Sequence, residues 1–258
     1  MSITFQRKGV RYQEVWFDEP VDPGQDIIIG YQRPECPPGL QGRPFHTMVL
    51  DLRQSTEQLL AALDKDVRYE LRRSEKDALG FECLAEPAAY LDDFCNFYNA
   101  FATDKGLETL TPSRLMPAVT AGHFILSRIQ KDGATLVWHA YLCVGGRARL
   151  LHSASLFRGQ LPAQRALTGR ANRLLHWRDI LEFKQRGYRI YDLGGWTPPD
   201  QADEAKARIN DFKVGFGGRQ VQEYHLTYPI STKGRLWLLL RRLKGRLLRH
   251  SSNSEREQ

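Results

Sequence analysis

The chain has 258 residues and a mass of 29.7 kDa, with 41% hydrophobic and 26% charged residues, enough for one large domain or two small ones around a substantial core. Its net charge of +7 is local: residues 232–258 carry eight Lys/Arg against two Glu, so the remainder is close to neutral, which excludes a generally basic body that wraps nucleic acid. No apolar run has transmembrane length, the start MSITFQRKGV lacks a signal-peptide core, and Cys36, Cys83, Cys95 and Cys143 lack metal-ligand spacing, so the expectation is a cytoplasmic protein with reduced thiols and no metal.

In chain order, RYQEVWF, DIIIGYQ and FHTMVLDL predict short strands, the last two separated by the Pro/Gly-rich RPECPPGLQGRP. Ser55 caps a predicted helix TEQLLAALDK, and DVRYELRRSEKDALG follows as a second, ending at Gly80. On it Arg68, Arg72 and Lys76 recur every four residues and share a face, which reads either as a solvated charged surface or as a cradle for phosphate. FECLAEP reads as a strand and AAYLDDFCNFYNAFATDKG as an amphipathic helix. HFILSRIQ, ATLVWHAYLCV and RARLLHSASLF, joined by Asp132-Gly133 and Gly145-Gly146, predict an antiparallel meander. LPAQRALTGRANRLLHWRDILEFKQRG predicts a loop feeding a long helix, with Gly169-Arg170-Ala171 at the helix start and Gly187 at its end. YRIYDL is the next strand, by a crossover onto the same sheet; ADEAKARINDFK is a helix, and RQVQEYHLTYPI a final strand. The class is α+β: a predominantly antiparallel central sheet flanked by helices, divided as an N-terminal β-rich segment 1–54, a main domain 55–231, and a tail 232–258.

The stretch RIYDLGGWTPPD ends an apolar strand with a carboxylate, two glycines and a tryptophan. Asp192 there either holds a substrate ammonium or takes its proton, or caps the turn; Gly194 and Gly195 bare the backbone, and Trp196 stacks on a planar ligand or packs in the core. Backbone amides at Gly169, Arg170, Ala171 and Asn172, at the expected helix start, favour a phosphate or pyrophosphate. His139 and His152 alternate with apolar residues on adjacent strands and are expected to face one crevice, as general-base candidates or as hydrogen-bonded structural residues. His176 lies further along the same helix as Asn172, the better placed of the two for a ligand.

Taken together, VLDLRQSTEQLL, VRYELRRSEKDALGFE, GRANRLLHWRDILEFKQRGYRIYDLGGW and INDFKVGFGGRQVQEY resemble the FemAB-like branch of the GNAT superfamily, which includes proteins with a BioF2-like acetyltransferase domain. In the acyl-CoA loop pattern Arg/Gln-x-x-Gly-x-Gly/Ala, Gly169 and Ala171 fit, while the first position is Ala166 with Arg165 one residue early. The resemblance implies a GNAT-like fold, acyl-CoA or aminoacyl-tRNA as co-substrate, and an amide formed on an amino group of a cell-envelope glycan or lipid-linked precursor. It also implies a role for Lys213, in DFKVGFGG, in binding a tRNA end or a developing oxyanion; a surface lysine at a helix end, favoured by the dipole, is the alternative. A non-catalytic module that uses the same fold to bind a lipid-linked glycan or nucleic acid is the rival expectation. The tail GRLWLLLRRLKGRLLRH forms a basic amphipathic helix in which Leu236, Leu240, Leu243 and Leu247 share a face. Residues 233–249 suit an anionic membrane surface, peripheral at the inner face of the cytoplasmic membrane; docking on the body, a partner or a tRNA backbone are its alternatives.

Overall fold

The structure, a computed structural model, describes residues 2–84, 86–156, 160–241 and 243. Two compact units form, His46–Val221 and a second made of Met1–Phe45 with Gln222–Gln258. The expected segments 1–54, 55–231 and 232–258 follow chain order, whereas the units do not. Strands β4 (Arg43–Asp51) and β10 (Arg219–Pro229) each begin in one unit and end in the other.

In the smaller unit β1 (Ile3–Arg7) and β2 (Val10–Trp16) form a hairpin, β2 pairs in parallel with β3 (Ile27–Arg33), and β3 pairs antiparallel with β10. Its core is Val10, Tyr12 and Ile27, packed by Trp237 and Leu238 from helical residues 232–241. Trp237 Nε1 donates to Tyr12 Oη at 2.6 Å, so part of the predicted amphipathic helix is docked. Leu236, Leu239, Leu240 and Leu243 stay exposed, and 242 and 244–258, with the predicted Leu247, lie outside the described residues. Among the described residues no helix is long and apolar enough to cross a membrane.

In the larger unit the strand order is β4-β9-β8-β7-β6-β5, with β5 at Gly80–Leu84, β6 at Phe124–Lys131, β7 at Ala134–Val144, β8 at Arg147–Ser155 and β9 at Ile190–Gly195. The meander β6-β7-β8 forms as expected. Its turns place Asp132, Gly133, Gly145 and Gly146 at φ between 49° and 79°, which Asp and Gly accept readily. β8 and β9 are parallel, so the sheet is mixed rather than purely antiparallel; the helix α5 (Pro162–Gln185) makes the crossover. α1 (Thr56–Ala62), α2 (Lys65–Ser74), α3 (Leu91–Lys105), α4 (Pro112–Thr120) and α6 (Glu204–Val214) complete the unit. α5 packs on β6 and β7, and α3 on β7 and β8. The main core, including Leu50, Leu59, Tyr141, Ile180, Phe183, Tyr191 and Phe216, lies between α1, α2, α5 and the sheet.

Two helices differ from expectation. α2 stops at Ser74, whose hydroxyl donates to the Leu71 carbonyl at 2.6 Å and competes with the helix, so Lys76 lies beyond the helix end and the three basic residues do not form one helical face. α5 starts at Pro162, with Gln164 reaching back to the Leu161 amide at 3.1 Å. Gly169, Arg170 and Ala171 therefore sit two turns inside the helix, where their amides are used by the helix itself. The predicted anion loop at those residues is not formed.

Candidate active site

Parallel pairing of β8 with β9 runs over Arg147–Ile190, Ala148–Tyr191 and Arg149–Asp192 and ends there, although both strands continue. Where they part, a cavity of about 460 Å³ opens. Leu150, Leu151, Ser153 and Ser155 line it from β8, Leu193, Gly194 and Gly195 from β9, Asn172 and His176 from α5, and Phe212 and Lys213 from α6. Gly194 has φ +79°, and a Cβ there would lie 3.1 Å from the Leu150 carbonyl oxygen, so a side chain at the point of divergence would be strained and would press on β8.

Lys213 is the ionisable group from the family resemblance that the structure brings to this cavity. It sits in the last turn of α6, and its Nζ donates to the Gly195 carbonyl. Burial and the nearby Arg149 lower its pKa to about 8 while Asp192 opposes them, so the ammonium predominates at neutral pH but gives up its proton more readily than a surface lysine. Arg149, Arg208 and Lys105 add positive charge around the cavity, with Arg208 paired to Glu204.

Asp192 does not reach the cavity. It is fully buried beneath it, accepting from Arg147 Nη2 at 2.6 Å, Arg147 Nε at 3.0 Å, the Gly194 amide at 2.8 Å and the Thr47 hydroxyl. Burial alone would raise its pKa, but Arg147, Arg149, Thr47 and the Gly194 amide outweigh it and hold the carboxyl below its usual range. Asp192 thus orders the Gly194 turn rather than meeting a substrate ammonium.

His139 and His152 do not share a crevice. His139 pairs with Ser153, and His152 with Ala140, so the two rings point to opposite faces. His152 packs against Tyr98 and Phe94 of α3, with centroids 4.8 and 6.3 Å away, and burial lowers its pKa to about 4. His139 is fully buried under α5: Nδ1 lies 2.8 Å from Asp179 Oδ2 and 3.0 Å from Tyr141 Oη, and Nε2 lies 3.0 Å from Asn172 Oδ1. Neither ring lines the cavity.

Of the remaining candidates, Asn172, Gly194 and Gly195 line the cavity, and Trp196 packs against the core, its amide donating to the His46 carbonyl at 2.8 Å. Arg170 is committed to Asp77, Nε to Oδ2 at 2.6 Å, and Ala171 is core. Arg68 Nη1 donates to the Ala61 carbonyl at 3.0 Å and to that of Leu63, closing the end of α1. Arg72 and Lys76 line a separate surface recess with Arg73 and Tyr69.

Residues without a signal at the sequence level complete the polar core. Tyr141 Oη donates to Asp179 Oδ2 at 2.7 Å and lies 2.8 Å from Tyr191 Oη, which lies 2.7 Å from His176 Nδ1. The legible trace was the spacing of Asn172, His176 and Asp179, at i, i+4 and i+7 on one helix face. Among the described residues no cluster of His, Cys, Asp and Glu suits a metal ion.

The parted parallel strands over a cavity belong to a fold shared with solved structures. FemX aligns at a TM-score of 0.61 with 14% identity, over 75% of this chain and 63% of FemX. The fold is FemX-like. It fits the FemAB-like GNAT branch that the motifs resemble. The FemX-like architecture extends to the C-terminal domain of a putative lysylphosphatidylglycerol synthetase from Agrobacterium fabrum (TM-score 0.54, 13% identity, 92% of this chain and 83% of that one). L-PGS from Bacillus licheniformis aligns at 0.53 with 14% identity, over 91% and 83%. No protein-family model and no curated protein matches the sequence.

Proposed function

We propose that the protein is an acyl or aminoacyl transferase that forms an amide on an amino group of a cell-envelope glycan or lipid-linked precursor. The observation that carries this reading is the 460 Å³ cavity at the parting of β8 and β9, with bare glycine backbone on one wall and the Lys213 ammonium on another. An acyl carbonyl placed between the strands meets a cation where negative charge develops on attack, and such stabilisation is the largest need of acyl transfer. The FemX-like fold, shared with a putative lysylphosphatidylglycerol synthetase, supports an aminoacyl-tRNA donor as well as an acyl-CoA. Arg149, Arg208 and Lys105 provide charge for the phosphates of either. The exposed leucines and Arg235 and Arg241 of residues 232–241 support an acceptor met at an anionic membrane surface.

The test is incubation of the full chain with acetyl-CoA, or with lysyl- and alanyl-tRNA, and with amino-sugar and lipid-linked acceptors, the amide being read by mass. Transfer from neither donor class overturns the proposal. Lys213→Met is expected to reduce transfer by about 100-fold or more without shifting the melting temperature. An active Lys213→Met protein would remove the oxyanion role.

A further inference from the structure

The hydrogen-bond chain behind the cavity has a direction that proton counting fixes. Tyr141 has one hydroxyl proton and gives it to Asp179, so at the 2.8 Å contact between the tyrosines Tyr191 donates to Tyr141. Tyr191 has then spent its own proton, so at the 2.7 Å contact His176 donates from Nδ1. A neutral ring protonated on Nδ1 has a lone pair on Nε2. His176 is among the residues that line the cavity, so Nε2 is the nitrogen left to accept a proton there.

Resting on the transferase reading, we propose that His176, Tyr191, Tyr141 and Asp179 form a proton wire that removes the proton of the attacking amine and returns it to the leaving group. As the amine nitrogen bonds to the acyl carbon, its N–H breaks and a new N–H forms at His176 Nε2. The Nδ1 proton passes to Tyr191 Oη, the Tyr191 proton to Tyr141 Oη, and the Tyr141 proton to Asp179 Oδ2. The carbonyl π electrons move onto oxygen and then re-form the carbonyl, expelling the thiolate or alkoxide, which recovers a proton as the wire runs backwards.

The surroundings of each member favour a relay over a stepwise base. Burial, together with His139 on β7, Lys213 on α6 and Arg173 on α5, pushes the His176 pKa well down, so an imidazolium is disfavoured; Phe212 and Phe216 cover the ring elsewhere. Burial and the Asp179 charge push both tyrosines well above their ordinary range, so neither holds a negative charge alone. A proton that enters at Nε2 must leave at Nδ1, and the chain of hydroxyls it then follows ends at Asp179 Oδ2. His139, with Nδ1 2.8 Å from Asp179 and Nε2 3.0 Å from Asn172, positions the far end of the wire and one cavity side chain together.

Nitrogen-15 NMR of histidine-labelled protein tests the wire without any substrate. His176 is expected as the neutral Nδ1–H tautomer, unchanged from pH 8 to pH 5; an Nε2–H tautomer leaves no acceptor and overturns the proposal. With a donor and acceptor in hand, Tyr191→Phe is expected to lower kcat about 100-fold with KM within about twofold. It should also abolish a solvent deuterium effect in which more than one proton contributes. If wild-type protein transfers and Tyr191→Phe keeps its kcat, the wire is wrong and the transferase reading stands; if wild type transfers nothing, the transferase reading falls and the tautomer alone judges the geometry. Should Tyr191→Phe not fold, a proton inventory on wild type that is linear, with a single proton in flight, overturns the wire in its place.

Discussion

Tyr191 and Asp192 are neighbours on one strand, yet they anchor opposite kinds of polar system. Tyr191 points under α5 into a chain of hydroxyls and imidazoles that reaches cavity residues at both ends, at His176 and, through Tyr141 and His139, at Asn172. Asp192 points the other way into an ion pair with Arg147, closed off by Thr47 and the Gly194 amide. Asp192 is the static one, because its carboxylate is held between the Arg147 guanidinium, the Thr47 hydroxyl and the Gly194 amide. The phenol, whose proton can be donated and replaced, is the one connected to the cavity.

The largest effect that separates the two systems is expected at Asp192. Asp192→Ala takes the counter-charge from Arg147, itself 7% exposed, and is expected to cost about 3–5 kcal/mol of stability in urea denaturation. Transfer by whatever fraction remains folded is expected to persist, with a raised KM because the Gly194 turn is no longer held. Unchanged stability with lost transfer would move Asp192 back into the chemistry.

How much of this was legible follows from what each signal encodes. The meander, the crossover from helix to β9, and the cavity glycines were readable because turns and strand tips need particular residues locally. The α5 start was not: Gly169 and Ala171 look like an anion loop, but the Pro162 start and the Gln164 cap set the helix frame two turns earlier. Asp192 stood out because charge in an apolar strand is conspicuous, and its partners Arg147 and Thr47 lie 45 and 145 positions away in sequence. Tyr141 and Tyr191 gave no signal, since an aromatic in a strand is ordinary core until its hydroxyl finds a partner.

The two histidines of the meander sharpen the same contrast by pH. His152 sits in an aromatic box and titrates near 4 when folded, against about 6.5 when unfolded. Between those values the unfolded chain binds a proton that the folded chain refuses, so stability is intact above about pH 6.5 and falls as pH drops towards 4, by up to ~3 kcal/mol. His152→Phe is expected to shallow that acid limb in melts from pH 7 to pH 4, leaving the contribution of His176, which has the same sign, and to leave transfer unchanged. A variant with the wild-type acid limb would mean that the ring is already wet.

The smallest expected effect tests the point where the strands diverge. Gly194 combines φ +79° with a would-be Cβ 3.1 Å from the Leu150 carbonyl oxygen, so Gly194→Ala strains the backbone and presses on β8 together. Strain of that kind costs about 1–3 kcal/mol. Because Asp192 fixes this turn through the Gly194 amide, the strand is expected to yield on the cavity side, raising KM for the donor several-fold with little change in kcat. Gly195→Ala, at a cavity-lining position without a positive φ, serves as the control. Equal effects of the two substitutions would mean that backbone approach to the ligand, and not the divergence of the strands, is what Gly194 provides.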